Sequence, residues 1–281
     1  MAHLDAVRRA AGAGPLVASD ALGASAALHA DYLSDNGFHS AATVHAETAG
    51  LANFTGADPF VRMRAAGYRL SYATEVVGDI GSVALDTDCV DHLLATIYHA
   101  ALLLSRVTEA GVAYGEGAGA GMCTIDLGVP LEAPAAQVPA AGELVRYPWP
   151  GMATATGTFR LGSENPRPPP SRLPNANVGI PVLVGLRNAD TLAAAPGDGR
   201  VEIQRFDLDD AAGRPVPSVL LADPAVTGAG VVADVGLHGL FVALVPRIPL
   251  APGRYRVTLH ATIGGTHVVA PAPWSFTVGT P

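Results

Sequence analysis

Near Gly128 the sequence changes its period. Before it, apolar residues recur at helical spacing in several segments. After it that spacing vanishes, and short alternating or β-branched runs are separated by proline and glycine. A helix period and a strand period cannot share one amphipathic pattern, so the 281 residues divide into two modules. Two units of about 130 residues each fit the usual domain size. The expected boundaries are a helix-rich module over 1–128, a linker over 129–150 and a β module over 151–281. Pro130, Pro134, Pro139, Pro148 and Pro150 give the linker its stiffness.

Within the first module, Leu4, Val7 and Ala11 space a short helix that Gly12 and Gly14-Pro15 stop. Ser19-Asp20 starts a second helix, with Leu22, Ala26, His29 and Leu33 on one stripe and Asn36-Gly37 at its end. Phe38 to Gly56 shows no period and is expected as a long loop, which in a compact domain points to function or motion. Asp58-Pro59 caps a third helix, Tyr68 to Val77 is extended, and Asp86-Thr87 opens a fourth helix with Val90, Leu93, Leu94 and Ile97 inward. Val107 to Tyr114 and Met122 to Leu127 are expected as strands joined by a glycine-rich turn. In the second module, the runs at 182–186, 201–206, 240–245, 255–263 and 274–278 have the spacing of a sandwich.

Several function classes fall away on composition. The net charge of −8 opposes nucleic acid binding, which needs basic side chains to displace counterions. No apolar run approaches about 18 residues, so no membrane span is expected. Lysine is absent, which removes Schiff-base and phosphate-loop chemistry. The N-terminus enters a helical pattern without a signal peptide, consistent with a cytosolic chain or with a leader already removed. No zinc-protease helix, nucleophile elbow or Cys-x-x-Cys is present.

What remains is a dispersed set of imidazoles and carboxylates: His29, His39, His45, Glu47, Glu75, Asp88, Asp91, His92 and His99, of which His39 and His92 read as surface residues. Two imidazoles and a carboxylate gathered by a fold would suit a zinc-type cation or a water activated by the carboxylate. His29 lies on an apolar helix stripe and reads as a hydrogen-bonded core residue. Asp88 and Asp91 sit near a helix start, where carboxylates are also favoured by the dipole alone. Cys89 and Cys123 are the only cysteines; a disulfide and a pair of buried thiols are both open.

The order of motifs resembles the bacterial CAP family (SCP-like, cysteine-rich secretory protein). The resemblance runs through Ala27-Leu28-His29-Ala30-Asp31-Tyr32-Leu33, His45-Ala46-Glu47-Thr48, Phe54-Thr55-Gly56-Ala57-Asp58-Pro59 and Arg64-Ala65-Ala66-Gly67-Tyr68. It continues through Glu75, Tyr98-His99 and Thr108 to Ala113, covering almost all of Leu4 to Gly128. It implies an α+β fold: a CAP-like α-β-α sandwich followed by an all-β, Ig-like sandwich. His45, His99 and Glu75 match the family's cleft residues, which sometimes hold a divalent metal. The family's second glutamate falls where this chain reads Leu93-Leu94-Ala95-Thr96, and the asparagine after the first glutamate is Val76. Glu47, Asp91 and Asp88 are the stand-ins for the missing carboxylate.

The resemblance thus implies an exported protein, extracellular, periplasmic or at the cell surface. Its cleft would bind a small ligand, a cell-envelope component or a divalent cation such as zinc, with His45, His99 and Glu75 as metal ligands. The Ig-like module would be a spacer or adhesion platform. The alternative is a metal-assisted hydrolase with Glu75 as general base; whether the chain is an enzyme stays open.

Overall fold

The computed structural model describes residues 1–37, 43–81, 86–116, 121–132, 138–164, 167–168, 173, 177–189 and 200–279. By contact the chain forms two compact units. The first holds Met1–Arg9, Gly14–Leu94 and Leu102–Gln137; the second holds Ala10–Ala13, Ala95–Ala101 and Val138–Pro281.

In chain order the first elements are α1 (Ala2–Ala11), β1 (Val17–Ala18), α2 (Asp20–Asn36), α3 (Pro59–Ala65), β2 (Leu70–Gly81), α4 (Asp86–Leu94), α5 (Tyr98–Leu103), β3 (Glu109–Glu116) and β4 (Gly121–Pro130). The four strands form one sheet in the order β1-β3-β4-β2, antiparallel except for the short β1. Alternation along the strands assigns its two faces. Glu75, Val77, Asp126 and Gly111 point one way, and α2 covers that side through Leu22, Tyr32 and Leu33. Gly78 and Cys123 point the other way, towards α4.

The stripe of Leu22, Ala26, His29 and Leu33 is buried against the sheet, as its helical spacing requires. The approach of α2 to β3 is unusually close. A Cβ on Gly111 would collide with the backbone of Leu22 and Gly23, and one on Gly115 with that of Ala30. Glycine at those two strand positions lets helix and sheet backbones touch. Cys89 of α4 and Cys123 of β4, with Cα atoms 6.1 Å apart, are joined by a disulfide that ties helix to sheet.

The fourth helix differs from its expected form. It ends at Leu94, and Tyr98 to Leu103 form a separate short helix that carries His99. Ile97 remains fully buried across the break.

The later elements are β5 (Val145–Tyr147), β6 (Ala153–Thr154), β7 (Thr158–Arg160), β8 (Asn177–Gly179), β9 (Val182–Gly185), β10 (Val201–Asp209), β11 (Ser218–Ala222), β12 (Val226–Gly228), β13 (Val231–Ala233), β14 (Phe241–Pro246), β15 (Gly253–Ile263), β16 (His267–Val269) and β17 (Trp274–Val278). One sheet runs β12-β10-β15-β17-β6 with β16 beside β15; the other runs β13-β11-β14-β9-β5. Val184, Val242 and Leu244 from the second sheet share one apolar core with Ile203, Phe206, Val257 and Phe276 from the first. Part of the stretch expected as linker is therefore structural: β5 pairs antiparallel with β9. The reason is that Leu144, Val145 and Tyr147 bury their side chains while the neighbouring prolines flank the strand and leave its ladder intact.

Candidate functional site

The site in the first unit is built outward from Glu75. Strand alternation turns Glu75 to the face covered by α2, and the β2–β4 register sets Asp126 directly opposite it. The Glu75 carboxylate is buried and divided between two partners. Its Oε1 accepts from His45 Nδ1 at 2.9 Å, and its Oε2 accepts from Arg62 Nη2 at 2.7 Å.

Arg62 reaches this position because α3 is fixed at its start. Pro59 opens the helix, and the Asp58 side chain accepts from the Val61 N–H at 3.0 Å. The other guanidinium arm donates to the carbonyls of His45 (3.1 Å) and Gly56 (3.3 Å), holding both ends of the loop against the helix. Glu47 closes the same loop from inside. It accepts from the backbone N–H groups of Thr55 (2.6 Å) and Gly56 (3.2 Å) and from the Thr55 hydroxyl, and it lies 3.5 Å from Arg62 Nε. His29 completes the set from α2. Its Nδ1 is 2.9 Å from Glu47 Oε1 and its Nε2 is 2.9 Å from the Val44 carbonyl, so both ring nitrogens face acceptors.

Burial and charge act in opposite directions on the two facing carboxyls. For Glu75, burial would raise the carboxyl, but the His45 hydrogen bond and the charges of His29 and Arg62 outweigh it and hold the group below the usual range. For Asp126 the balance is reversed. Burial first, and then the neighbouring Glu75 charge, push its carboxyl well above the usual range, with Ser25 and Arg62 opposing only in part. The surroundings thus favour the ionised form of Glu75 and the neutral form of Asp126, a division expected for two acids in one low-dielectric site.

His45 is the member that reaches solvent. Its side chain is 31% exposed, against 0–1% for His29, Glu47, Arg62 and Glu75. With Nδ1 committed to Glu75, Nε2 is the ring atom left for a ligand. A divalent cation does not suit this donor set. Both Glu75 oxygens are engaged, and a dication at Oε2 would have to displace or adjoin the Arg62 guanidinium. Among the described residues, no group of three His, Cys, Asp or Glu side chains is arranged to hold a metal ion.

His39 lies outside the described residues, and His92 is exposed on α4. His99 is grouped with the second unit, where its Nδ1 lies 3.0 Å from Oε1 of Glu164 and 3.1 Å from the Thr96 hydroxyl. Asp91 is exposed on α4 and meets His3 Nε2 at 2.7 Å. The backbone of Asp88 belongs to α4, and its side chain lies outside the described residues.

Three residues with clear roles were not singled out from the sequence: Arg62, Asp126 and Glu164. Only Asp126 carried a local signal, a carboxylate inside the apolar run from Met122 to Leu127, in a strand buried on both faces.

No curated protein and no solved structure matches the chain. Residues 1–126 match the model of CAP, the cysteine-rich secretory protein family, and that part of the chain is a CAP domain.

Proposed function

We propose that the CAP domain is a binding module for a small ligand, with Nε2 of His45 as its principal polar contact. The observation that supports this reading is the clamping of Glu75 between Arg62 and His45. A carboxylate so held orients the imidazole and fixes its tautomer. The same clamping counts against the hydrolase reading, because a carboxyl held below its usual range is a weak proton acceptor and a poor general base. Loop and helix residues Leu51, Phe54, Phe60 and Val61 are exposed on the elements that hold the site, which favours a ligand with apolar as well as polar surface.

In this reading the protein is exported and acts outside the cytoplasm, and the helix-to-sheet disulfide fits an oxidising compartment. Among the described residues, no helix is long and apolar enough to cross a membrane. The β module, with two sheets around one core, serves as an Ig-like spacer or adhesion platform.

Protein-observed NMR of the full chain against small hydroxyl-, amide- and glycan-type fragments tests the proposal. Binding should shift the His45 ring and the amides of residues 43–56, and His45→Ala should abolish the response with the remaining spectrum unchanged. Saturable zinc binding that requires both His45 and Glu75 would replace this reading with a metal site. Fragment responses untouched by His45→Ala would refute it.

A further inference from the structure

The second unit contains another arranged imidazole. His99 is 8% exposed, and the carboxylate beside it, Glu164, is 1% exposed. Glu164 follows the short 3₁₀ turn at Leu161–Ser163, beyond the residues that match the CAP family. Its two oxygens have separate tasks. Oε2 accepts from the backbone N–H groups of Ile97 (2.6 Å) and Tyr98 (3.3 Å). Oε1 has no hydrogen-bond partner of good geometry and lies 3.0 Å from His99 Nδ1 as a charge-to-ring contact. The same segment is gripped a second time: the Tyr98 hydroxyl donates to Asp234 Oδ2 at 2.7 Å, while Asp234 Oδ1 accepts from the Gly236 N–H at 2.9 Å.

This geometry decides where the His99 proton resides. An unprotonated Nδ1 would set its lone pair 3.0 Å from a buried anionic oxygen, which is repulsive at low dielectric. With a proton on Nδ1, the ring can donate to the Thr96 hydroxyl at 3.1 Å while its N–H dipole faces the Glu164 carboxylate at 3.0 Å, an electrostatic attraction in place of the repulsion. We propose that Glu164 is the positioning residue for His99: it holds the proton on Nδ1 and so presents Nε2 as a hydrogen-bond acceptor for a ligand hydroxyl or N–H group. A histidine inside the CAP segment is then completed by a carboxylate from outside it. This inference stands apart from the His45 reading and does not depend on it.

Backbone capping alone would be served almost as well by a glutamine, whereas tautomer control would not, and this separates the two roles. Glu164→Gln keeps an oxygen for Ile97 and Tyr98 but turns an NH2 donor towards Nδ1. Long-range 1H–15N imidazole spectra of the full chain at neutral pH read the outcome. The wild type should show His99 as the Nδ1–H tautomer, and Thr96→Val should leave it so. Glu164→Gln should convert His99 to the Nε2–H tautomer while the amide spectrum keeps the dispersion of the folded protein. A wild-type His99 that is mainly Nε2–H would overturn the proposal, and that result needs no variant to fold. A Glu164→Gln protein that retains Nδ1–H would overturn it equally.

Discussion

Replacing Arg62 by methionine is the perturbation that most loads the buried network of the CAP domain. Methionine keeps much of the side-chain length and apolar bulk, so the change is chiefly loss of the guanidinium. That group donates to Glu75 Oε2 at 2.7 Å and to two backbone carbonyls, and it lies 3.5 Å from Glu47. All three side chains are sealed from water, so solvent screening does not discount the pair. Removing one partner of a buried ion pair costs about 3–5 kcal/mol, because the other charge is left without compensation. The loss at Glu75 is partly relieved by His45 and His29, which places Arg62→Met near the lower end of that range. Pairing it with Glu75→Gln in a double-mutant cycle isolates the contact, and residues sharing one network couple by about 0.5–3 kcal/mol. Urea unfolding followed by circular dichroism, with hydrogen exchange on 43–77 to report this unit, supplies the energies. The double variant should lose less stability than the sum of the singles. A cost below about 1 kcal/mol for Arg62→Met, as for a surface pair, or a strictly additive cycle, would refute the clamp.

Asp126 has a folded-state pKa above its unfolded one, so its contribution to stability is complete below about pH 3.9 and declines as pH rises towards the folded value. Asp126→Asn should therefore gain on the wild type between acidic and neutral pH in urea melts; a difference that stays flat with pH would contradict the assignment. Glu75 has the opposite sign: its folded pKa is depressed, so its stabilisation is present above the ordinary glutamate pKa and is lost as pH falls through the folded value. Glu75→Gln should flatten that acid limb, and an unchanged limb would argue against an ionised Glu75. Reducing the Cys89–Cys123 bond should cost about 2–4 kcal/mol, and two free thiols in a non-reducing mass spectrum of aerobically purified protein would remove the premise. Gly111→Ala should push α2 off β3 and destabilise the unit, although the change in chain entropy alone would favour alanine by roughly 0.5–1 kcal/mol; a neutral or stabilising effect would show that the close approach is not required.

Local pattern made α2, β3 and β4 legible because each has a period and a burial face that sequence spacing encodes directly. His29 was readable as a bonded core histidine for the same reason. The partners were not readable. Arg62 is 13 residues from Glu75, Glu164 lies outside the CAP segment that holds His99, and Asp126 meets Glu75 only through strand register. No periodicity carries such pairings, since they depend on which loops return to which face. The expected linker shows a related limit. Proline content near Val145–Tyr147 suggested an extended spacer, yet three buried positions sufficed to draw that stretch into a sheet.

If Glu75 holds Nδ1 of His45 and leaves Nε2 for a ligand, the imidazole 15N spectrum of His45 must show it. A dominant Nδ1–H tautomer in the wild type that gives way in Glu75→Gln is the predicted result. A His45 ring that averages freely between tautomers, or one that is Nε2–H while Glu75 is intact, would contradict it.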